Sequence, residues 1–265
     1  MRWRLAVTLT LFGSAIAPVR SLVLIGPDDN LAAPPNGAPW AYVARLDTRN
    51  SAGDYTASSS GVYLRNRFVL TAEHVSAPVR VSLAGTLYDM DPAYEPKQIG
   101  GVDLKLVRIL TDPGLAPLSL IAPGDKHLRR AATIIGWGVG KGEEIAAKGW
   151  RWADDLSRVQ RWGTNLTLSS LSNEEGRRSL LRTKFNRAGG PDEATATGGD
   201  SGAGLFQKFD ETWKLAGIVV SVSGPNDRSL YDQDASAGGD QPHQTFYVPI
   251  KRYRDALLTA TAATP

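Results

Sequence analysis

Residues 198–204 read Gly198-Gly199-Asp200-Ser201-Gly202-Ala203-Gly204, four glycines crowded around one serine. A serine hydroxyl barely ionises near neutral pH. To act as a nucleophile it needs a neutral imidazole to take its proton and a carboxylate to orient that imidazole. Glycines beside the serine let backbone N–H groups converge on one point, where they stabilise a developing oxyanion. Two other stretches offer the missing partners. Phe68-Val69-Leu70-Thr71-Ala72-Glu73-His74 is a β-type run that ends in a histidine. Val102-Asp103-Leu104-Lys105-Leu106 sets an acid at the head of an alternating run, the period of a half-buried strand. Asp89 and Asp91 lie nearby, but neither leads such a run.

The chain around these stretches is made of short β-type segments separated by turns, among them 41–46, 61–64, 80–83, 132–137, 165–168, 202–206, 213–221 and 245–250. Arg65-Asn66 between two of them reads as a hairpin turn. Helical spacing is confined to Lys251–Ala260, where Tyr253, Leu257 and Leu258 share a face. Many short strands with glycine-rich turns and almost no helix imply an all-β sandwich or barrels. The stretch Asp112–Gly124, with its prolines and glycines, divides two halves of similar size, 18–120 and 121–265.

The 265 residues contain no cysteine, which excludes a disulfide framework, a thiol nucleophile and thiolate zinc sites. Residues 1–17 have a basic start (Arg2, Arg4), an uncharged apolar stretch from Leu5 and small residues at the end. This is the pattern of a secretory signal peptide, with the cut after Ala15 or Ala17. Without those two arginines the balance of 30 basic and 27 acidic residues falls from +3 to +1, no footprint for nucleic acid. The expected product is a secreted or periplasmic monomer, off the membrane once the signal is cut.

His74 in Leu-Thr-Ala-Glu-His-Val, Asp103 in Val-Asp-Leu-Lys-Leu and Ser201 in Gly-Asp-Ser-Gly, in that order, resemble the trypsin/chymotrypsin-like serine proteases. Gly136-Trp137-Gly138, Gly217-Ile218-Val219 and Phe246–Ile250 extend the resemblance from about Pro39 to Leu258. It implies two six-stranded antiparallel β-barrels with a short C-terminal helix and a catalytic triad of His74, Asp103 and Ser201. Gly199 and Ser201 would supply the oxyanion-hole N–H groups, and Asp200 a buried structural carboxylate. The expected substrate is a protein or peptide, with no cofactor and no metal. The same alignment sets Thr195 at the base of the primary pocket and Val222 and Thr245 at its walls. An uncharged base and branched walls suit a small aliphatic side chain such as Ala or Val.

Some features depart from the family. Glu73 replaces the usual alanine and is placed to raise the His74 pKa. Val75 stands where animal members have a cysteine. A cut after Arg20 would start the chain at Ser21-Leu22-Val23, only loosely like the activated terminus of the family. His127, among Lys126, Arg129 and Arg130, reads as solvent-facing, and His243 as structural or idle. Asp232-x-Asp234-x-Ser236 reads as a solvated loop rather than a calcium site, and Trp150, Trp152 and Trp162 as barrel-edge packing. Two other functions compete: an inactive binding protein on the same fold, and an α/β-hydrolase esterase using Ser201, Asp232 and His243.

Overall fold

A computed structural model describes residues 21–27, 30–155, 158–172, 179–224, 226–231 and 242–262. The expected signal peptide, Arg20 and the Asp232–Ser236 loop lie outside the described residues. Among the described residues the first strand is the two-residue β1 (Val23–Leu24). One sheet then takes β2 (Val43–Arg49), β3 (Tyr55–Arg65), β4 (Phe68–Thr71), β5 (Arg80–Leu83), β6 (Thr86–Asp89), β7 (Lys97–Gln98) and β8 (Lys105–Arg108). Its order is β6-β5-β2-β3-β4-β8-β7. A bridge from Met90 to Ile109 joins the ends of β6 and β8 and closes six of these strands into a barrel, with β7 as a short addition.

The second half contains β9 (Ala131–Gly136), β10 (Lys141–Ile145), β11 (Gly149–Trp152), β12 (Arg161–Leu166), β13 (Leu168–Ser172), β14 (Ser179–Lys184) and β15 (Ala194–Thr195). It continues with β16 (Gly204–Phe209), β17 (Thr212–Val222), β18 (Arg228–Leu230), β19 (Gln244–Pro249) and the helix α1 (Ile250–Ala260). The main sheet runs β12-β9-β16-β17-β19-β14-β13. The Asn165 amide of β12 donates to the Lys184 carbonyl of β14 at 2.8 Å, which draws the two ends together. Six strands again curl into a barrel, with β13 as the extra edge.

The β3–β4 turn is Asn66-Arg67, one residue later than the sequence suggested. Both residues have positive φ, +50° and +70°, the backbone of a two-residue hairpin whose twist matches its strands. The run around Asp103 also differs from expectation. The strand begins at Lys105 rather than Val102, and Lys105 is buried, only 9% exposed. One apolar cluster runs from Val62, Leu70 and Leu106 of the first barrel through Leu120 to Phe206, Ile218 and Leu257. That cluster joins the two barrels, while Ile134, Leu181, Leu205, Val219 and Tyr247 form a separate core within the second.

Candidate active site

Strand register brings the histidine and the aspartate together. β4 and β8 are antiparallel with Thr71 opposite Lys105, so the residues just after β4 lie beside those just before β8. The Asp103 carboxylate accepts from the His74 backbone N–H at 3.0 Å and faces His74 Nδ1 at 2.8 Å. With Nδ1–H donated to the Asp103 carboxylate, the Nε2 lone pair faces Ser201 Oγ, also at 2.8 Å. The serine belongs to the other barrel, in the loop that enters β16. It is held against the first barrel by the Ser60 N–H, which donates to the Ser201 carbonyl at 2.9 Å.

The electrostatics follow from these contacts. The hydrogen bond to Asp103 raises the His74 pKa above 6.5, against the opposing pull of burial and of Lys105, with a small upward push from Glu73. Burial pushes the Asp103 carboxyl up, but bonds from the His74 ring and from the His74 and Glu73 backbone outweigh it and hold it below its usual range. His74 is 47% exposed and Asp103 34%, so water reaches the pair.

The serine loop is built differently. Asp200 is wholly buried and accepts from the Gly138 N–H at 2.7 Å, the Thr197 N–H at 2.9 Å and the Thr197 hydroxyl at 3.0 Å. Burial still raises its pKa to about 6, while the Thr197 and Gly138 bonds and the positive Arg158 pull the other way. Gly199 has φ +85°, and an added Cβ would fall within bonding distance of the Arg158 guanidinium. Only glycine fits there. The Gly198 carbonyl accepts from the Val139 N–H at 2.8 Å. Because the peptide is trans, the Gly199 N–H points the opposite way from that carbonyl.

Beside Ser201 lies a cavity of about 440 Å³ lined by Trp152, Thr197, Gly198, Val219, Val220, Ser221, Val222 and Asn226. Val222 is on its wall. Thr195 and Thr245 are buried and are not among its lining residues; their hydroxyls are 3.1 Å apart, with Thr183 and Tyr247 bonded at 3.0 Å in the same barrel. Asp91 is tied to Arg67 and Arg108 and Asp89 is exposed, so neither shares the site.

Of the other two histidines, His127 differs from expectation. His127 is half-buried rather than solvent-facing, and burial and Lys251 lower its pKa. His243 is buried against Gly224, and burial lowers its pKa to about 4. Among the described residues no group of His, Cys, Asp and Glu could hold a metal ion. Trp150 packs with Phe185 and Tyr231, with the Lys141 ammonium 4.0 Å from its ring, as expected of an edge cluster. Trp152 instead lines the cavity.

Three neighbours of the site carry no sequence signal. The Lys105 ammonium donates to the Glu73 and Val75 carbonyls at 2.8 and 2.5 Å, gripping the backbone on both sides of His74. The Ser60 hydroxyl reaches the serine loop, and Arg158 covers Gly199. Their roles depend on pairings across distant parts of the chain, which no local motif announces.

No helix among the described residues is long and apolar enough to cross a membrane. No curated protein sequence matches the chain. Residues 31–256 do match the family model described as Trypsin, and that span holds both barrels, all three residues of the His–Asp–Ser line and most of α1. The match covers well over half of the sequence, and with the double-barrel architecture it places this chain in the trypsin family of serine proteases.

Proposed function

We propose that the chain is an exported serine endopeptidase that cleaves peptide bonds through an acyl-enzyme on Ser201. The observation that carries this reading is the continuous line Asp103–His74–Ser201, with both ring nitrogens 2.8 Å from their partners. Ser201 Oγ attacks the scissile carbonyl carbon as His74 Nε2 takes its proton, and the carbonyl electron pair moves onto oxygen. The N–H groups of Gly199 and Ser201 hold that oxyanion. The His74 imidazolium, stabilised by Asp103, then protonates the departing amine and leaves an ester on Ser201. His74 then takes a proton from water as the water oxygen attacks the ester carbon, and gives it to Ser201 Oγ as the ester C–O bond breaks and the acid leaves.

In this reading residues 18–120 supply base and acid, and 121–265 the nucleophile. The uncharged lining of the cavity and its Val222 wall suit a small aliphatic side chain before the scissile bond. A cationic side chain would be desolvated there without a counter-charge. The first seventeen residues act as the export signal, and the mature monomer acts on proteins or peptides outside the cytoplasm.

Removal of the segment through Arg20 would complete the site. Ser21–Leu24 are wholly buried, and β1 pairs with β15 through Val23 and Thr195. Ser21 Oγ donates to the Gly136 carbonyl at 3.1 Å, and Gly136 lies against the Asp200 carboxylate. A new α-ammonium on Ser21 would bring a positive charge to the region of that buried acid, whose charged form is otherwise costly. N-terminal sequencing of the active enzyme reads this; a fully active form beginning at Ile16 or Pro18 removes the activation step.

The function itself is tested with a fluorophosphonate probe. The wild-type protein is expected to be labelled on Ser201 and to cleave peptides ending in Ala faster than those ending in Arg. Ser201→Ala is expected to do neither. Labelling that survives in Ser201→Ala contradicts the assignment.

A further inference from the structure

Ser60 lies in the middle of β3, fully buried, more than a hundred residues from the serine loop in sequence. Each of its polar groups is engaged. Its N–H donates to the Ser201 carbonyl at 2.9 Å, and its carbonyl accepts from the Thr71 hydroxyl at 2.8 Å. Its hydroxyl accepts from the Trp137 N–H at 2.9 Å and donates to the Gly199 carbonyl at 3.2 Å. The fit is close: a Cβ on Gly202, the residue after the nucleophile, would lie 2.0 Å from the Ser60 carbonyl.

These contacts bear on one backbone conformation. Two peptide planes meet at the Gly199 Cα. The Gly198–Gly199 plane, which carries the oxyanion-hole N–H, is pinned by Val139 through the Gly198 carbonyl. The Gly199–Asp200 plane is pinned by the Ser60 hydroxyl through the Gly199 carbonyl. Glycine at φ +85° has no side chain to bias its torsions, so hydrogen bonds restrain them: on the second plane the Ser60 hydroxyl holds the carbonyl while the Asp200 N–H donates to the Thr197 carbonyl at 3.1 Å. The same hydroxyl holds the N–H of Trp137, and the next residue, Gly138, donates to Asp200. A single oxygen from the first barrel thus ties together the oxyanion glycine and the support of the buried acid beside it.

We infer that Ser60 is a positioning residue that holds the Gly199 N–H at the oxyanion from across the barrel interface. The inference rests on the peptidase reading above. Removal of the hydroxyl leaves the Gly199–Asp200 plane held on its N–H side alone, by the Thr197 carbonyl, and leaves the Trp137 N–H without its acceptor. The loss is expected where charge develops on the substrate oxygen, not where the ground-state substrate binds.

The test compares Ser60→Ala and Ser60→Thr with wild type, each normalised to folded active sites by fluorophosphonate titration. Ser60→Ala is expected to lower kcat about ten- to a hundredfold, short of the loss of a whole donor, with KM within about twofold. Its affinity for a peptide boronic acid, which forms a tetrahedral adduct on Ser201, should fall by a similar factor. Its affinity for the matching peptide alcohol, which occupies only the acyl-side subsites, should not change. Ser60→Thr keeps the hydroxyl and should restore most of kcat and of boronic-acid affinity. Should Ser60→Ala fail to fold, the threonine variant decides: near-wild-type kcat supports the assignment and a tenfold loss overturns it. An unchanged kcat in Ser60→Ala, or an equal loss of alcohol and boronic-acid binding, also overturns it. If the wild type itself neither labels on Ser201 nor cleaves peptides, the parent reading fails; an active wild type with an indifferent Ser60→Ala refutes this inference alone.

Discussion

The two barrels prepare their halves of the site in opposite ways. The first presents His74 and Asp103 half in water, joined by short hydrogen bonds and steadied from behind by the buried Lys105 ammonium. The second presents Ser201 on a loop whose foundation, Asp200, is wholly buried on three neutral hydrogen-bond donors. In the proposed reaction the solvated half gains and loses a proton in each turnover, and access to water keeps that change inexpensive. The buried half never changes charge during the reaction and must hold N–H groups in place, so rigidity serves it better than solvation. Oxyanion stabilisation depends on this preorganisation.

The largest effect that separates the halves is expected at the proton-transfer side. Asp103→Asn should lower kcat by about ten-thousand-fold, because the amide favours the wrong His74 tautomer. The acid limb of kcat/KM should also move. In the wild type its midpoint lies above 6.5, since the Asp103 bond raises the His74 pKa and only the neutral imidazole accepts the serine proton. With that cause gone, burial and Lys105 pull the pKa down, and the midpoint falls. A limb that stays in place would show that another group controls it.

A smaller loss is expected one layer behind. Lys105→Met keeps the length of the side chain and removes the grip on Glu73 and Val75, so kcat should drop about ten- to a hundredfold as His74 loses its register. Rates within twofold of wild type would make Lys105 a purely structural cation.

The difference in legibility between these residues is physical. His74, Asp103 and Ser201 each stand in a local string whose chemistry reads along the chain. Lys105 looked like the polar phase of a half-buried strand, and only the β4–β8 register turns it inward onto backbone carbonyls. Ser60 sits in a run of serines, Ser58–Ser60, with nothing to separate it from a solvated strand until the second barrel closes over it. The double barrel was legible because turn spacing and ordered motifs carry it. The seventh strand of each sheet was not, since a two-residue piece such as β7 has no periodicity of its own. The pocket residues were half legible: Val222 lines the cavity, whereas Thr195 on β15 and Thr245 on β19 are buried and are not among its lining residues.

The smallest effect concerns stability. Burial raises the Glu193 pKa to about 7 and that of Asp200 to about 6, each above its unfolded value. Stability from such groups is fully present below their unfolded pKa values and is lost as pH rises through the folded ones. Thermal unfolding should therefore occur at lower temperature at pH 8 than at pH 5. Glu193→Gln, which keeps the acceptor for the Asn186 N–H, should flatten that slope. An unchanged slope would place the linkage elsewhere.

The central claim is that one proton path, from Ser201 through His74 to Asp103, spans the two barrels. Its most direct measurement is the mass of the adduct on the Ser201 peptide after brief exposure to an activated peptide ester, in wild type, His74→Ala and His243→Ala. The expected result is an acylated Ser201 in wild type and in His243→Ala, and none in His74→Ala. Acylation that survives in His74→Ala, or is lost only in His243→Ala, would contradict the account.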